Sequence, residues 1–186
     1  MIFENDFNNL TDKDIEFLNS YFDGYDYESS THTFLANYIW RNTHDLSWQI
    51  IEGYLCIAGL GTMETEEKEY FMSFPLTNTG SYDIKKVKEA IEKAKEIFRK
   101  KGQRFELSLV PAPLVPVLKQ VFGDTVEVEH TRDDDDYIYM KEDLIKLSGR
   151  KLHQKKNHLN YFLRNYDFTY QEATPEMVPE IMEYIK

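Results

Sequence analysis

The segment that most constrains the fold runs from Asp83 to Lys101, where apolar residues recur at helical spacing. Steps of three, four and seven residues place side chains on one face of a helix. The residues at these steps are Ile84, Val87, Ala90, Ile91, Ala94, Ile97 and Phe98. Gly102 follows directly and favours a helix end there. The pattern predicts a long amphipathic helix, and the elements on either side of it decide the fold class.

Two helices and three strands are predicted before this helix. Ile15, Leu18, Tyr21 and Phe22 are spaced as in a helix capped by Thr11 or Asp12, and a second helix is expected over Thr31 to Arg41 with Ser30 or Thr31 as its cap. Alternation of apolar and polar residues predicts strands at residues 46–50, 54–58 and 70–74. Glu52 and Gly53 separate the first two strands and predict a two-residue hairpin turn.

Short elements are predicted after the long helix. Strands are expected at residues 105–109, 126–128 and 137–140, and residues 168–170 also have a strand-like pattern. Helices are expected at residues 114–121, 141–147 and 150–165, with a last one from Thr174-Pro175 onwards. This order predicts an α+β fold of the sandwich type, in which helices flank a mixed, mostly antiparallel central sheet.

Composition indicates a folded chain in a reducing compartment. Hydrophobic residues make up 41% of the 186 residues and aromatic residues 15%, which is enough material for a core. No apolar run approaches the roughly 20 residues of a membrane helix, and the amino terminus does not resemble a secretory signal. Cys56 is the single cysteine, so we expect no disulfide framework and a cytoplasmic location. The net charge of -11 argues against general attraction to nucleic acid or anionic membranes.

The segment from Arg150 to Tyr166 reverses this charge locally, since it has no acidic residue. Its basic residues are Arg150, Lys151, His153, Lys155, Lys156, His158 and Arg164. On a helix, Lys151 lies one turn from Lys155 and Lys155 one turn from His158, while Arg150 and Lys151 are expected in the first turn after Gly149. The residues Arg150, Lys151, Lys155, Lys156 and His158 therefore form a candidate site for a phosphate, a pyrophosphate or an RNA backbone.

The alternative interpretation assigns this segment no ligand and makes it a solvated helix face. In that case its cations pair with the aspartates at 133–136, or with Glu142 and Asp143. The sequence alone favours this second interpretation, because surface charge runs are common, and leaves the first one open.

Other candidate sites are weaker. Four consecutive aspartates at 133–136 cannot all face one divalent cation, so a solvated loop is favoured over a metal site. Gly59-Leu60-Gly61 lacks the spacing of a phosphate-binding loop and is interpreted as a turn. The histidines have no metal-ligand spacing, and Cys56 is expected to be a small buried residue. Trp40-Arg41 is either a stacking or cation–π element or, more simply, core packing with a helix-end arginine.

Two stretches carry a resemblance to a known family. They are Thr33 to Arg41, TFLANYIWR, and Asp136 to Tyr166, whose most specific part is the run from Leu147 to His158, LSGRKLHQKKNH. They resemble the bacterial family related to the C-terminal domain of phosphatidylglycerol lysyltransferase. The resemblance implies two tandem acetyltransferase-type (GNAT-like) domains related to the aminoacyltransferases that use charged tRNA. It would place a first GNAT-like domain at residues 1–166 and the start of a second at residues 167–186.

The resemblance implies an acyl- or aminoacyltransferase. The donor would be aminoacyl-tRNA or coenzyme A, the acceptor a lipid or another amine or hydroxyl, and the basic helix would bind tRNA or a phospholipid headgroup. The relatives build their active crevice mainly from the second domain, so no catalytic residue is assigned in this sequence. The usual acyl-CoA loop between a strand and a helix is not found in these residues. The alternatives are therefore a non-catalytic GNAT-like binding or scaffolding module, and a basic helix that acts only as an interdomain strut.

Overall fold

The computed structural model describes residue 3 and residues 5–25, 29–62 and 68–185. The fold is α+β, and its described residues form two compact units, Met1–Tyr137 and Ile138–Lys186. The strands are β1 (Asn8–Asn9), β2 (Ser47–Ile51), β3 (Tyr54–Thr62) and β4 (Lys68–Met72). The helices are α1 (Ile15–Phe22), α2 (Phe34–Trp40), α3 (Ile84–Lys100), α4 (Val115–Phe122), α5 (Lys141–Lys146), α6 (His153–Asn165) and α7 (Val178–Ile185). Every helix predicted from the sequence is present.

The four strands form one antiparallel sheet in the order β1-β2-β3-β4. β2 and β3 form the predicted hairpin, which closes where Ile51 pairs with Tyr54. Glu52 and Gly53 at its turn have φ angles of 53° and 84°. Two consecutive left-handed residues are what a tight hairpin turn of the I′ type requires, so the hairpin prediction is confirmed although Glu is unusual there.

The edges of the sheet are short or sparsely paired. β1 has two residues, which pair with Ser47 and Trp48 of β2. At the opposite edge, Met72 of β4 forms a parallel bridge with Leu107. The Met72 N–H donates to the Glu106 carbonyl at 2.9 Å, and the Ser108 N–H donates to the Met72 carbonyl at 3.0 Å. The strand predicted at residues 105–109 is thus reduced to one bridge.

Several strand predictions were wrong. Residues 126–128, 137–140 and 168–170 form no strand, although their apolar residues alternate. Alternation marks a strand only where a sheet edge offers a partner, and these segments are largely exposed to solvent. The reverse error concerns Gly59 and Gly61, which lie inside β3 and not in a turn. Glycine is needed there because Phe71 and Leu46 pack closely over the strand.

The core lies in the first unit, between α3 and the sheet. Five residues of the predicted α3 face are buried, and α3 contacts β2, β3 and α4; the five are Val87, Ala90, Ile91, Ala94 and Phe98. Asp83 caps the helix by accepting hydrogen bonds from the N–H groups of Lys85 and Lys86 at 3.0 and 3.2 Å. Phe98 is fully buried beneath Phe105, with ring centroids 5.2 Å apart. Each large side chain buried in this way contributes roughly 1.5–3 kcal/mol to the free energy of folding.

The second unit contains α5, α6 and α7 and has no buried side chain among its described residues, 138–185. Aromatic residues at the end of α6 pack on one another: the rings of Phe162 and Tyr166 stack at 5.3 Å, and Phe162 and Phe168 are 5.0 Å apart. Across the described part of the chain, no helix has both the length and the apolar character needed to cross a membrane.

Candidate functional site

The chain reaches the basic residues through two left-handed positions. α5 ends at Lys146, and Leu147 follows it with a φ of 45° and an N–H that donates to the Asp143 carbonyl at 2.8 Å. Gly149 follows with a φ of 85°, a conformation that glycine adopts without strain. These two positions turn the chain sharply between α5 and α6. The resulting open depression is lined by Leu147, Ser148, Gly149, Arg150, Lys151, His153, Gln154 and Lys156.

The structure brings together three of the five predicted site residues. Arg150, Lys151 and Lys156 line the depression, whereas Lys155 and His158 lie outside its lining on α6. We refer to residues 147–156 as the basic turn. The prediction that Arg150 and Lys151 lie in the first helical turn was wrong, because the bend at Gly149 continues through Leu152 and α6 begins at His153.

Leu152 marks the transition into α6. Its carbonyl accepts a hydrogen bond from the Lys156 N–H at 3.0 Å, which starts the helical pattern. Lys155 and His158 are three residues apart on α6 and share one side of it. Lys155 also lies one turn before Leu159, so the basic end of α6 merges with its apolar stripe.

The charges of the basic turn are not compensated within the second unit. Arg150, Lys151, Lys155 and Lys156 are all exposed. Among the residues described in that unit, no carboxylate lies within ion-pair distance of these four, Glu142 and Asp143 included. The structure therefore contains no ion pair between these four cations and Glu142 or Asp143, which was one of the two pairings predicted for a solvated helix face. Four uncompensated cations at one turn attract an anionic group over about a Debye length.

His153 has a defined role in this turn. The side-chain amide of Asn157, one helical turn further on, donates to His153 Nε2 at 3.2 Å. Nε2 accepts this bond, and the imidazole is oriented at the start of α6 beside the depression. The sequence identified His153 only as part of the basic run.

The four consecutive aspartates at 133–136 do not act as one group. The Asp136 carboxylate accepts hydrogen bonds from the Ser30 N–H and hydroxyl, and the Asp135 carboxylate lies 2.9 Å from His130 Nε2. Asp133 and Asp134 line a cleft instead. Among the described residues, no group of three or more His, Cys, Asp or Glu side chains is placed to hold a metal ion.

The first unit shows the surroundings of two further candidates from the sequence, Trp40-Arg41 and Cys56. The Arg41 guanidinium lies over the ring of Tyr38 at 3.7 Å, so the cation–π partner is Tyr38, three residues earlier, and not Trp40. Cys56 is fully buried in β3, and burial raises the pKa of its thiol to about 12. The prediction of a small buried cysteine is confirmed, and a thiol with this pKa is not a nucleophile at neutral pH.

The sequence did not reveal the cleft itself, which has a volume of about 800 Å³. It brings together α2, β3, β4 and the segments around residues 104–109 and 129–134, and it includes His32, Trp40 and His44 in its lining. These side chains are far apart in the sequence and share no spacing motif. Only the fold brings these side chains together in one cleft.

The fold and the basic turn define an α+β protein with an exposed basic surface. Residues 22–185 match the model of the family described as phosphatidylglycerol lysyltransferase, C-terminal, and the chain belongs to that family. The resemblance that rests on the run from Leu147 to His158 is thereby confirmed.

One solved structure shows the same fold. It is a conserved protein of unknown function from Bacteroides thetaiotaomicron, similar with a TM-score of 0.76 and 23% sequence identity over 97% of this chain and 57% of that one. The chain therefore spans little more than half the length of that protein. A comparison with curated proteins gave no match.

Proposed function

We propose that the protein takes part in aminoacyl transfer, in the cytoplasm, from charged tRNA to a lipid acceptor. Membership of the phosphatidylglycerol lysyltransferase C-terminal family supports this reaction class. We propose a GNAT-like relationship on the same grounds, since an antiparallel sheet with a long helix packed on it agrees with that architecture.

The observation that carries the proposal is the basic turn with its uncompensated cations. Both substrates of such a reaction are phosphate esters, tRNA through its backbone and phosphatidylglycerol through its headgroup. A guanidinium donates in a fork that matches two phosphate oxygens, and ammonium groups act as point charges. Arg150, Lys151 and Lys156 surround one depression, and N–H groups at the start of the 13-residue α6 add partial positive charge.

In this proposal the basic turn binds and orients a phosphate group of the substrate. Proton transfer is assigned to no residue of the chain. A hydroxyl of the acceptor attacks the carbonyl carbon of the aminoacyl ester, and the ribose hydroxyl of the tRNA leaves. Holding a phosphate of either substrate fixes the distance between these groups. Orientation of this kind lowers the entropic part of the barrier.

The test is charge reversal at Lys155 and Lys156, measured against a matched control. Lys155→Glu/Lys156→Glu changes the net charge by the same amount as Lys88→Glu/Lys95→Glu, and Lys88 and Lys95 are exposed on α3 in the other unit. We expect the first variant to bind its anionic substrate about tenfold or more weakly at moderate salt, because two attractive charges, one in the depression and one beside it on α6, become repulsive. The control variant should keep its affinity. Equal affinity in both variants would contradict the proposal.

Three ligands in separate titrations distinguish the sources of the phosphate. These are charged tRNA, vesicles containing phosphatidylglycerol, and coenzyme A, which the donor alternative requires. A selective loss with charged tRNA assigns the basic turn to the donor, and a selective loss with vesicles assigns it to the acceptor. A selective loss with coenzyme A moves the donor to an acyl-CoA.

Two readouts separate transfer from the other roles. Movement of a labelled aminoacyl group to lipid by the wild-type chain supports the transferase and rules out a binding module. A lower melting temperature of Lys155→Glu/Lys156→Glu with unchanged affinity supports the structural strut instead.

A further inference from the structure

We propose that the cleft in the first unit binds a small organic cation that carries an apolar or aromatic group. The cleft lies wholly among residues of the first unit, and its volume of about 800 Å³ is in the range of small-molecule sites. The cleft shares no residue with the basic turn, which belongs to the second unit.

The floor of the cleft is apolar. It is formed by buried side chains of β3, β4 and their neighbours, namely Leu46, Ile57, Phe71 and Leu76. Gly61 contributes no side chain, which leaves room above the Phe71 ring. Such a floor favours a hydrocarbon or aromatic group over a fully polar ligand, because burial of apolar surface is favourable by roughly 25 cal/mol per Å².

The rim of the cleft is acidic. Its charged side chains are one arginine, Arg104, and five carboxylates, Glu69, Glu106, Glu129, Asp133 and Asp134. Arg104 lies 4.0 Å from both Glu69 and Glu106, at the limit of an ion pair. Glu129, Asp133 and Asp134 make no side-chain ion pair with any described residue. The excess of negative charge favours a cation and repels the phosphate groups assigned to the basic turn.

The loop of four aspartates at residues 133–136, the acidic loop, is held at this rim by Asp135 and Asp136. Asp136 is bound to Ser30, and Asp135 pairs with His130. These anchors turn Asp133 and Asp134 towards the cleft, where both belong to its lining. The carboxylates are thus positioned by contacts that do not use them.

Uncharged acceptors complete the site. His44 Nδ1 lies 3.1 Å from the carbonyl oxygen of Leu60, and because a carbonyl only accepts, Nδ1 carries a proton, which in the neutral ring leaves the lone pair on Nε2. The Ser73 hydroxyl is buried and has no hydrogen-bond partner among the described residues, although Ser73 lines the cleft. Both groups can accept hydrogen bonds from an ammonium.

An aromatic ring and a neutral imidazole fit the same ligand. Trp40 is 54% exposed beside His44 and offers a ring face of the kind that attracts cations. Burial lowers the pKa of His32 to about 4, so this imidazole adds no positive charge to the cleft at neutral pH. The ligand chemistry is therefore an alkyl or arylalkyl ammonium.

The test uses two probes of the same shape and opposite charge. Phenethylamine is a cation at neutral pH and phenylacetate is an anion, so isothermal titration of the intact chain with each probe isolates the charge. We expect saturable binding of phenethylamine and none of phenylacetate. Absence of phenethylamine binding, or equal binding of both probes, would overturn the inference.

Isosteric variants place the binding in the cleft. Asp133→Asn/Asp134→Asn should weaken phenethylamine binding about tenfold, since two rim charges are lost without a change in shape. Asp124→Asn/Glu127→Gln removes the same charge from exposed residues outside the cleft and should leave the affinity unchanged. Equal losses in the two variants would sink the assignment. Lys155→Glu/Lys156→Glu should retain phenethylamine binding, which separates this result from that of the basic turn.

Discussion

Asp136 and Ser30 are 106 residues apart, yet the Asp136 carboxylate accepts hydrogen bonds from both the backbone N–H and the hydroxyl of Ser30, each at 2.8 Å. The backbone bond, followed by the hydroxyl bond, lowers the pKa of Asp136 from its ordinary value. This pair ties the acidic loop to the turn that precedes α2. It also accounts for one aspartate of a run that the sequence leaves without partners.

Asp136→Ala should lower the free energy of unfolding by about 1 kcal/mol, because the Ser30 donors lose a charged acceptor. The difference from wild type should be full at neutral pH and shrink as the pH falls through the lowered pKa of Asp136, since a protonated carboxyl is a weak acceptor. Urea denaturation at several pH values measures this. Asp134→Ala is the control, because no hydrogen bond or ion pair to a described residue is found for the Asp134 carboxylate. An equal effect of the two variants would show that the Ser30 contact is not stabilising.

His32 should make the stability depend on pH in mildly acidic solution. Burial lowers its pKa to about 4 although the negative charge of Asp136 acts to raise it, whereas in the unfolded chain His32 has its ordinary pKa of 6.5. Between these values the unfolded state binds the extra proton. The free energy of unfolding therefore falls as the pH drops from 6.5 to about 4, by at most about 1.4 kcal/mol per pH unit.

His32→Gln removes this titration, so its stability should vary less steeply with pH than that of wild type. The imidazole resonances should give a midpoint near 4 for His32 in the native protein. Parallel stability curves for the two proteins, or a midpoint at the ordinary value, would contradict the effect of burial.

Gly59 should not tolerate a side chain. A Cβ atom there would clash with Leu46 Cδ2 and lie 3.0 Å from Phe71 Cζ. Gly59→Ala should therefore cost about 2 kcal/mol of stability through overpacking. Gly61→Ala should cost less, because its nearest contact is 3.3 Å from Phe71.

A double-variant cycle tests the cause of that cost. Leu46→Ala removes the clashing methyl group, so Gly59→Ala should be better tolerated in that background than in wild type. Strict additivity of the two losses would locate the strain elsewhere.

Cys56 should be protected from thiol reagents in the native state. Its side chain is fully buried and its pKa is raised to about 12, so almost no thiolate is present or accessible at pH 8. Labelling should follow unfolding in urea. Ser148→Cys in a Cys56→Ala background supplies an exposed thiol that should react at once. Fast labelling of native wild type would mean that β3 opens locally.

The sequence predicted the helices well and the strands only in part. The periodicity of α3 survives in the structure because one wide apolar face is buried against the sheet. Val126 and Val128 alternate in the same way as residues of β2, but they pair with no strand in the described part of the chain. β1 was missed because Asn8 and Asn9 have no apolar pattern, and their pairing depends on β2.

The two candidate sites also differ in how far the sequence predicts them. The basic turn is contiguous in the sequence, so its charge reversal is visible without a structure. The bend at Gly149 was not predicted. A left-handed glycine indicates where one helix ends but not where the next one begins. The cleft depends on residues as far apart as Trp40 and Asp134, which only the fold brings together.

The margins of the sheet affect the tendency of this protein to aggregate at high concentration. A sheet with long, flat margins recruits strands from other molecules and grows into aggregates. Here one margin is a pair of asparagines, and the other is partly occupied where Met72 pairs with Leu107 and carries the charge of Glu69 further along. An arriving strand finds an edge strand of only two residues at the first margin and a charged edge at the second, so the sheet discourages fibrillar growth.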